Sequence, residues 1–196
     1  MNVTVVGEIR DDRAVPRSGA KSGDLIYVSG RLGEAEFGLR SLLQSRTTGS
    51  LDRLCFKKHL YPEPRLALGQ WLAEKRIATS MMDLSDGLSS DLPRLCAASR
   101  VGARIIASKL PKINLREGTN PLDLDLTELA LNGGDDYELL FTARPNQARR
   151  LPAKVQGIPL NRIGEITRQQ RILLPEAGGR EEMLSPRGWD PFRKRR

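Results

Sequence analysis

The chain has 196 residues, of which 39% are hydrophobic and 29% charged, a length for one domain or one domain with an arm, and a balance that excludes a disordered chain. The formal charge of +8 does not point to nucleic acid: Arg193, Lys194, Arg195 and Arg196 gather four of those charges at the tail, and no aromatic residues interleave with the other cations. No apolar run approaches the ~18 residues of a membrane span, the amino terminus lacks the basic and apolar regions of a signal peptide, and the cytoplasm is the expected location.

Asn2 to Ile9 alternates as a strand does, with Val3 and Val5 on one face, and Arg10-Asp11-Asp12-Arg13 reads as a linker. Leu25-Ile26-Tyr27-Val28 predicts a buried strand, after which Gly30 and Gly33 punctuate the passage into a helix over Ala35 to Gln44. Ser45 to Ser50 is a polar break. Pro62 and Pro64 stop any helix around His59-Leu60-Tyr61, and Leu66, Leu68 and Leu72 resume helical spacing over Arg65 to Lys75. Ala78 to Met82 reads as a strand ending at Asp83. A helix follows with Leu88, Leu92 and Leu95 on one face, and Pro93 places its start near Ser89 or Ser90. Cys96, set among Leu92, Leu95 and Ala97, reads as a buried inert thiol; neither it nor Cys55 belongs to a CxxC pair, and a single His is too few for a usual zinc site. Val101 to Ala107 is the next strand, Leu124 to Leu131 a short helix, and Tyr137 to Thr142 a strand. A helix near Asn146 to Leu151 and strands near Arg162 to Ile166 and Arg171 to Leu174 complete the chain. The alternation predicts an α/β (α+β) mixed-sheet sandwich.

Three segments carry candidate chemistry. In Asp83-Leu84-Ser85-Asp86-Gly87 a strand ends in acidic residues and turns into a helix. Asp83 and Asp86 can converge on a divalent cation, while Ser85 and the free amides of the helix start can face phosphate oxygens. The same residues also suit a plain helix start, with Asp86 as cap and Asp83 in a solvent-exposed turn. In Asn132-Gly133-Gly134-Asp135-Asp136-Tyr137-Glu138 two glycines let backbone approach a ligand, and two carboxylates offer counter-charges to a cation. The competing reading is a tight turn whose Asp residues bond their own backbone. In Arg187-Gly188-Trp189-Asp190-Pro191-Phe192 the Trp can stack on a heteroaromatic ring or anchor the tail.

Taken together these segments resemble the thiamine-monophosphate kinase family in order and spacing. The resemblance runs through Arg17-Ser18-Gly19-Ala20-Lys21-Ser22-Gly23-Asp24 to Gly30, then Leu32-Gly33, His59-Leu60-Tyr61-Pro62-Glu63-Pro64-Arg65, Asp83 to Asp91, residues 132–140 and Gly188-Trp189-Asp190. HLYPEPR and NGGxDYELLF are its specific pieces. DxSDG is shared with aminoimidazole ribonucleotide synthetase, selenophosphate synthetase and a hydrogenase maturation factor.

The resemblance implies transfer of the γ-phosphoryl group of ATP to thiamine monophosphate with Mg2+ ions, on a fold like the carboxy-terminal domain of aminoimidazole ribonucleotide synthetase. It implies Asp83 and Asp86 as metal ligands, Arg17 and Ser85 as ATP contacts, and Asp135 and Trp189 as substrate contacts. At 135 the family commonly has Glu, one methylene longer. The family's early aspartate-rich motif has no counterpart before Asn2, so residues 1–12 are expected to be the last strand and linker of a missing amino-terminal ATP-binding domain, and 13–196 the carboxy-terminal kinase domain. The family homodimer is expected only with that missing domain. Two other readings stand beside a kinase: a non-catalytic ligand-binding remnant, and another ATP-dependent member of the superfamily with a different substrate.

Overall fold

The computed structural model describes residues 3–10, 13–44, 50–115, 120, 122–175 and 181–188. A 3-10 helix at Arg17–Gly19 precedes β1 (Leu25–Ser29). Helices α1 (Glu34–Leu43), α2 (Ser50–Leu60) and α3 (Leu66–Glu74) come next, then β2 (Ala78–Asp83), α4 (Leu88–Ser99) and β3 (Gly102–Ile105). After α5 (Leu126–Asn132) come β4 (Leu139–Ala143), α6 (Pro145–Ala148), β5 (Lys154–Val155), β6 (Ile158–Thr167), β7 (Ile172–Pro175) and β8 (Glu181–Met183).

Among the described residues the strands make one sheet in the order β2-β4-β1-β6-β3-β7-β8, with β5 added beside β6. Neighbours are antiparallel except β3 and β7, which makes the sheet mixed, as expected. Period-two alternation sorts its side chains. Ile26 and Val28 of β1, Leu140 of β4 and Met82 of β2 face α4 and α5, in one core with Leu88, Leu92, Leu95, Ala130 and Leu131. Tyr27, Phe141, Ala143 and Met81 face the other way, onto Leu68, Trp71 and Leu72 of α3. Tyr27 and Phe141 stack there with ring centroids 5.3 Å apart. A third cluster joins Phe37 of α1 and Cys55 of α2 to Ile113 and to Leu129 of α5.

Three expectations change. The strand expected from Asn2 to Ile9 has no ladder over residues 3–10, where Val3 (70%), Val5 (87%), Val6 (91%) and Ile9 (65%) are exposed. Alternation supplies a face, but a strand also needs a partner for its N–H and C=O groups, and no described strand runs beside this segment. Helix α4 begins at Leu88, not at Ser89 or Ser90, so Pro93 lies beyond its first turn. Pro93 therefore removes the bond to the Ser89 carbonyl. The buried stripe of Leu88, Leu92 and Leu95, each worth roughly 2 kcal/mol out of water, outweighs that loss. Finally, the strand expected over Val101–Ala107 gives way to a 3-10 helix at Ala107–Lys109. Cys96 is buried as expected, and burial pushes its thiol up to about 12. Of the polar break expected over Ser45–Ser50, residues 45–49 lie outside the described residues and Ser50 opens α2.

Candidate active site

Strands β2 and β4 are edge and neighbour, and their ladder continues past its regular end into the two acidic segments. Leu84 N–H donates to the Glu138 carbonyl (2.8 Å), Tyr137 N–H to the Leu84 carbonyl (2.9 Å) and Asp135 N–H to the Ser85 carbonyl (2.9 Å). Segments about fifty residues apart in sequence are thus laced main chain to main chain, an arrangement sequence reading alone does not give. Asp135 and Tyr137 take left-handed backbone angles, φ 63° and 47°, a conformation non-glycine residues hold only when the surroundings dictate it.

The turn from β2 into α4 is built by a residue that sequence reasoning missed. Asp91, fully buried, reaches back from the first turn of α4 and accepts from the Ser85 and Asp86 amides, both at 3.0 Å. Burial raises its carboxyl, against the pull of the Asp86 amide and Arg94. Asp86 is not the helix cap: Gly87 holds that position at φ 93°, which favours glycine, and no side chain caps it. The Asp86 carboxylate instead accepts from Arg94, which also bonds Asp91 at 2.6 Å. The readable signals were the second acid at the start of the helix and the i,i+3 spacing of Asp91 and Arg94. Asp83 ends β2 exposed, its main chain in register with Leu139 and its carboxylate with no hydrogen bond or ion pair among the described residues.

Burial holds the Tyr137 hydroxyl above its usual range, and the negative charges of Asp135, Asp83 and Asp86 add to that. Asp135 is also within 3.4 Å of that hydroxyl, which donates to it. The next carboxylate has a different role. Asp136 is buried and accepts from the Gly33 (2.6 Å) and Ala35 (3.2 Å) amides at the start of α1. It is neither a counter-charge for a ligand nor bonded to its own turn. Burial pushes its carboxyl up to about 7, although those two amides oppose the shift.

These residues border an open cleft of about 870 Å3 between α1, α5, the Ser85–Asp86 turn and the 133–137 turn. Leu39, Leu43 and Leu124 give it an apolar wall, and Glu36, Glu128 and Asp135 an acidic one. Its far lip is Arg187 and Gly188, where the Arg187 amide donates to Ser89 Oγ at 3.2 Å. Glycine is required at 188, since a Cβ there would lie 1.8 Å from the Asp86 carbonyl oxygen. The third segment therefore docks onto the first; Trp189 itself lies outside the described residues.

Asp83, Ser85, Asp86 and Asp135 thus come together. Arg17 lies beside both α4 and β2: its carbonyl accepts from Ser99 Oγ at 2.8 Å, and the carbonyl of its neighbour Pro16 accepts from the Met81 amide at 3.3 Å, two residues before Asp83.

Magnesium takes one or two carboxylates and completes its shell with water and phosphate oxygens. Asp83 and Asp86 suit that donor set, Asp83 being uncommitted among the described residues and Asp86 held by Arg94. No group of three or more acidic, His or Cys side chains among the described residues forms a protein-only metal cage.

Residues 21–174 match the family described as AIR synthase related protein, C-terminal domain. The chain belongs to that family. It is 38% identical to thiamine-monophosphate kinase of Escherichia coli K12 over 198 aligned positions, covering 98% of this chain and 59% of the relative. It is 36% identical to the same enzyme of Buchnera aphidicola (Schizaphis graminum), covering 88% and 54%. Among solved structures, AaThiL complexed with AMPPCP and TMP superposes with a TM-score of 0.76 at 30% identity, covering 91% of this chain and 54% of that one. The chain spans between half and six tenths of the length of these relatives. No described helix is long and apolar enough to cross a membrane.

Proposed function

We propose that the chain is the carboxy-terminal part of a phosphotransferase that moves the γ-phosphoryl group of ATP onto thiamine monophosphate, giving thiamine diphosphate, in the cytoplasm. The observation that carries this is the main-chain lacing of the turn after Asp83 to the Asp135–Tyr137 turn at the edge of the cleft, with Asp135 N–H on the Ser85 carbonyl and Tyr137 N–H on the Leu84 carbonyl. The relatives named thiamine-monophosphate kinase support the substrate.

In this reading Asp83 and Asp86 would hold Mg2+, which would supply charge neutralisation for the transferring phosphoryl group. Ser85 and the amides ahead of α4 face phosphate oxygens, with Asp91 fixing their direction. Asp135 and Trp189 take the cationic thiazolium and the aminopyrimidine ring of thiamine, which the acidic and apolar walls of the cleft suit. Asp135, shorter than the family's Glu, contacts substrate directly or through a water. Arg17 contacts ATP. Phosphoryl transfer asks for positioning and charge neutralisation, so no residue is assigned as general base. Residues 1–12 belong with an amino-terminal ATP-binding domain through which the homodimer forms, and 13–196 are the carboxy-terminal domain.

The test is turnover of thiamine monophosphate with ATP and Mg2+ after mixing the chain with the amino-terminal domain of a relative. Thiamine diphosphate should form with the native chain and fall at least 100-fold with Asp83→Asn. No product from the mixture, or equal product from both chains, rejects the proposal.

A further inference from the structure

The two segments most specific to the resemblance, HLYPEPR and NGGxDYELLF, meet in a buried ion cluster away from the cleft. Glu138, fully buried, receives Arg65 in a two-pronged contact, Nε to Oε2 at 2.9 Å and Nη2 to Oε1 at 2.6 Å. Lys58 Nζ donates to Oε1 at 2.5 Å, and Ser29 Oγ to Oε2 at 2.5 Å. Ser29 Oγ in turn accepts the Leu139 amide at 2.9 Å. Burial alone would raise the Glu138 carboxyl, but Arg65 and Lys58 outweigh it and hold it below the usual range.

We propose that this cluster is a positioning device for the acidic turn, with Arg65 and Glu138 as positioning residues. Glu138 directly follows Tyr137 and lies three residues after Asp135, the two left-handed residues that border the cleft. Its main chain accepts Leu84 N–H and so holds the start of the Ser85–Asp86 turn. Its side chain is fixed from β1, from α2 and from the connector between α2 and α3. Stability does not by itself call for such a group, because apolar packing commonly replaces a buried ion pair without loss. An ion pair with three directional donors does what apolar packing cannot: it fixes the backbone at 138 in one orientation. The strained pair 135 and 137 is then held between that anchor and the Leu84 and Ser85 carbonyls.

Amide hydrogen exchange on the full 196-residue chain, comparing native with Arg65→Gln, Arg65→Lys and Glu138→Gln, reads this directly. Arg65→Gln should speed exchange at the Asp135 and Tyr137 amides at least tenfold and leave the central Ile26 and Val28 amides within twofold. Arg65→Lys, which keeps the charge and one prong, should fall between. Unchanged rates at 135 and 137, or an equal rise across the sheet, overturn the proposal; if Arg65→Gln does not fold, Arg65→Lys and Glu138→Gln decide by the same criterion. The link to substrate rests on the function proposed above and has its own readout. Thiamine monophosphate, titrated calorimetrically, should bind at least tenfold more weakly to Arg65→Gln, with partial rescue in Arg65→Lys. Equal affinity in native and Arg65→Gln overturns the device's role in binding. A native chain that binds none rejects the proposed function, while the exchange result still judges the device.

Discussion

Asp91 and Asp136 are both buried carboxylates that accept two backbone amides, yet they answer to different tests. Asp91→Ala leaves the Ser85 and Asp86 amides without their acceptor and Arg94 without one of its partners. The expected loss is about 2–3 kcal/mol, measured by denaturant unfolding, with Asp91→Asn losing less. Asp136 carries a pH dependence whose sign follows from its shift. Its carboxyl stands at 3.8 in the ordinary state and about 7 when folded, so between those values the folded chain binds the extra proton. Its contribution is full below pH 4 and is lost as pH rises through 7, by up to about 1.4 kcal/mol per pH unit. The melting temperature of the native chain relative to Asp136→Asn should therefore fall between pH 5 and pH 8. A constant difference would contradict the assignment. Asp91 left a local signal in its i,i+3 spacing with Arg94, but Asp136 left none: it read as part of a ligand turn, and its partners Gly33 and Ala35 lie about a hundred residues away. A distant cap leaves no local pattern.

At the scale of elements, period and punctuation did most of the work. The run Leu25 to Val28, Leu68 and Leu72 of α3, the leucines of α4 and the strand ending at Asp83 all formed where spacing placed them, because their apolar residues are covered by packed neighbours. Where the faces were weak the reading missed. The two-residue β5 and three-residue β8 carry too few residues for a period, and α6 stops at Ala148, short of the expected Leu151. Helix α4 is the informative departure, since burial overrides a proline in its second turn. Pro93→Ala should restore a donor to the Ser89 carbonyl and raise stability by about 1 kcal/mol, read as a higher melting temperature. A fall would show that the proline's rigidity, not the missing bond, dominates there.

For the whole molecule, the mixed sheet was predictable from the alternation of elements, but its strand order was not. Only that order puts β2 beside β4 and so brings the two acidic segments together. The exposed arm of residues 3–10 adds no buried apolar surface. Removing residues 1–10 should leave the melting temperature within about 1 °C, on the ~0.5 kcal/mol scale of surface changes; a larger fall would show that the arm packs on the domain. The central claim is that Asp83 and Asp86 form a metal–phosphate site facing a thiamine-binding cleft. Calorimetric titration of thiamine diphosphate in the presence of Mg2+, into the native chain and Asp83→Asn, tests it most directly. The account predicts binding by the native chain that depends on Mg2+ and weakens at least tenfold in Asp83→Asn; equal affinity in both chains, or binding indifferent to Mg2+, would contradict it.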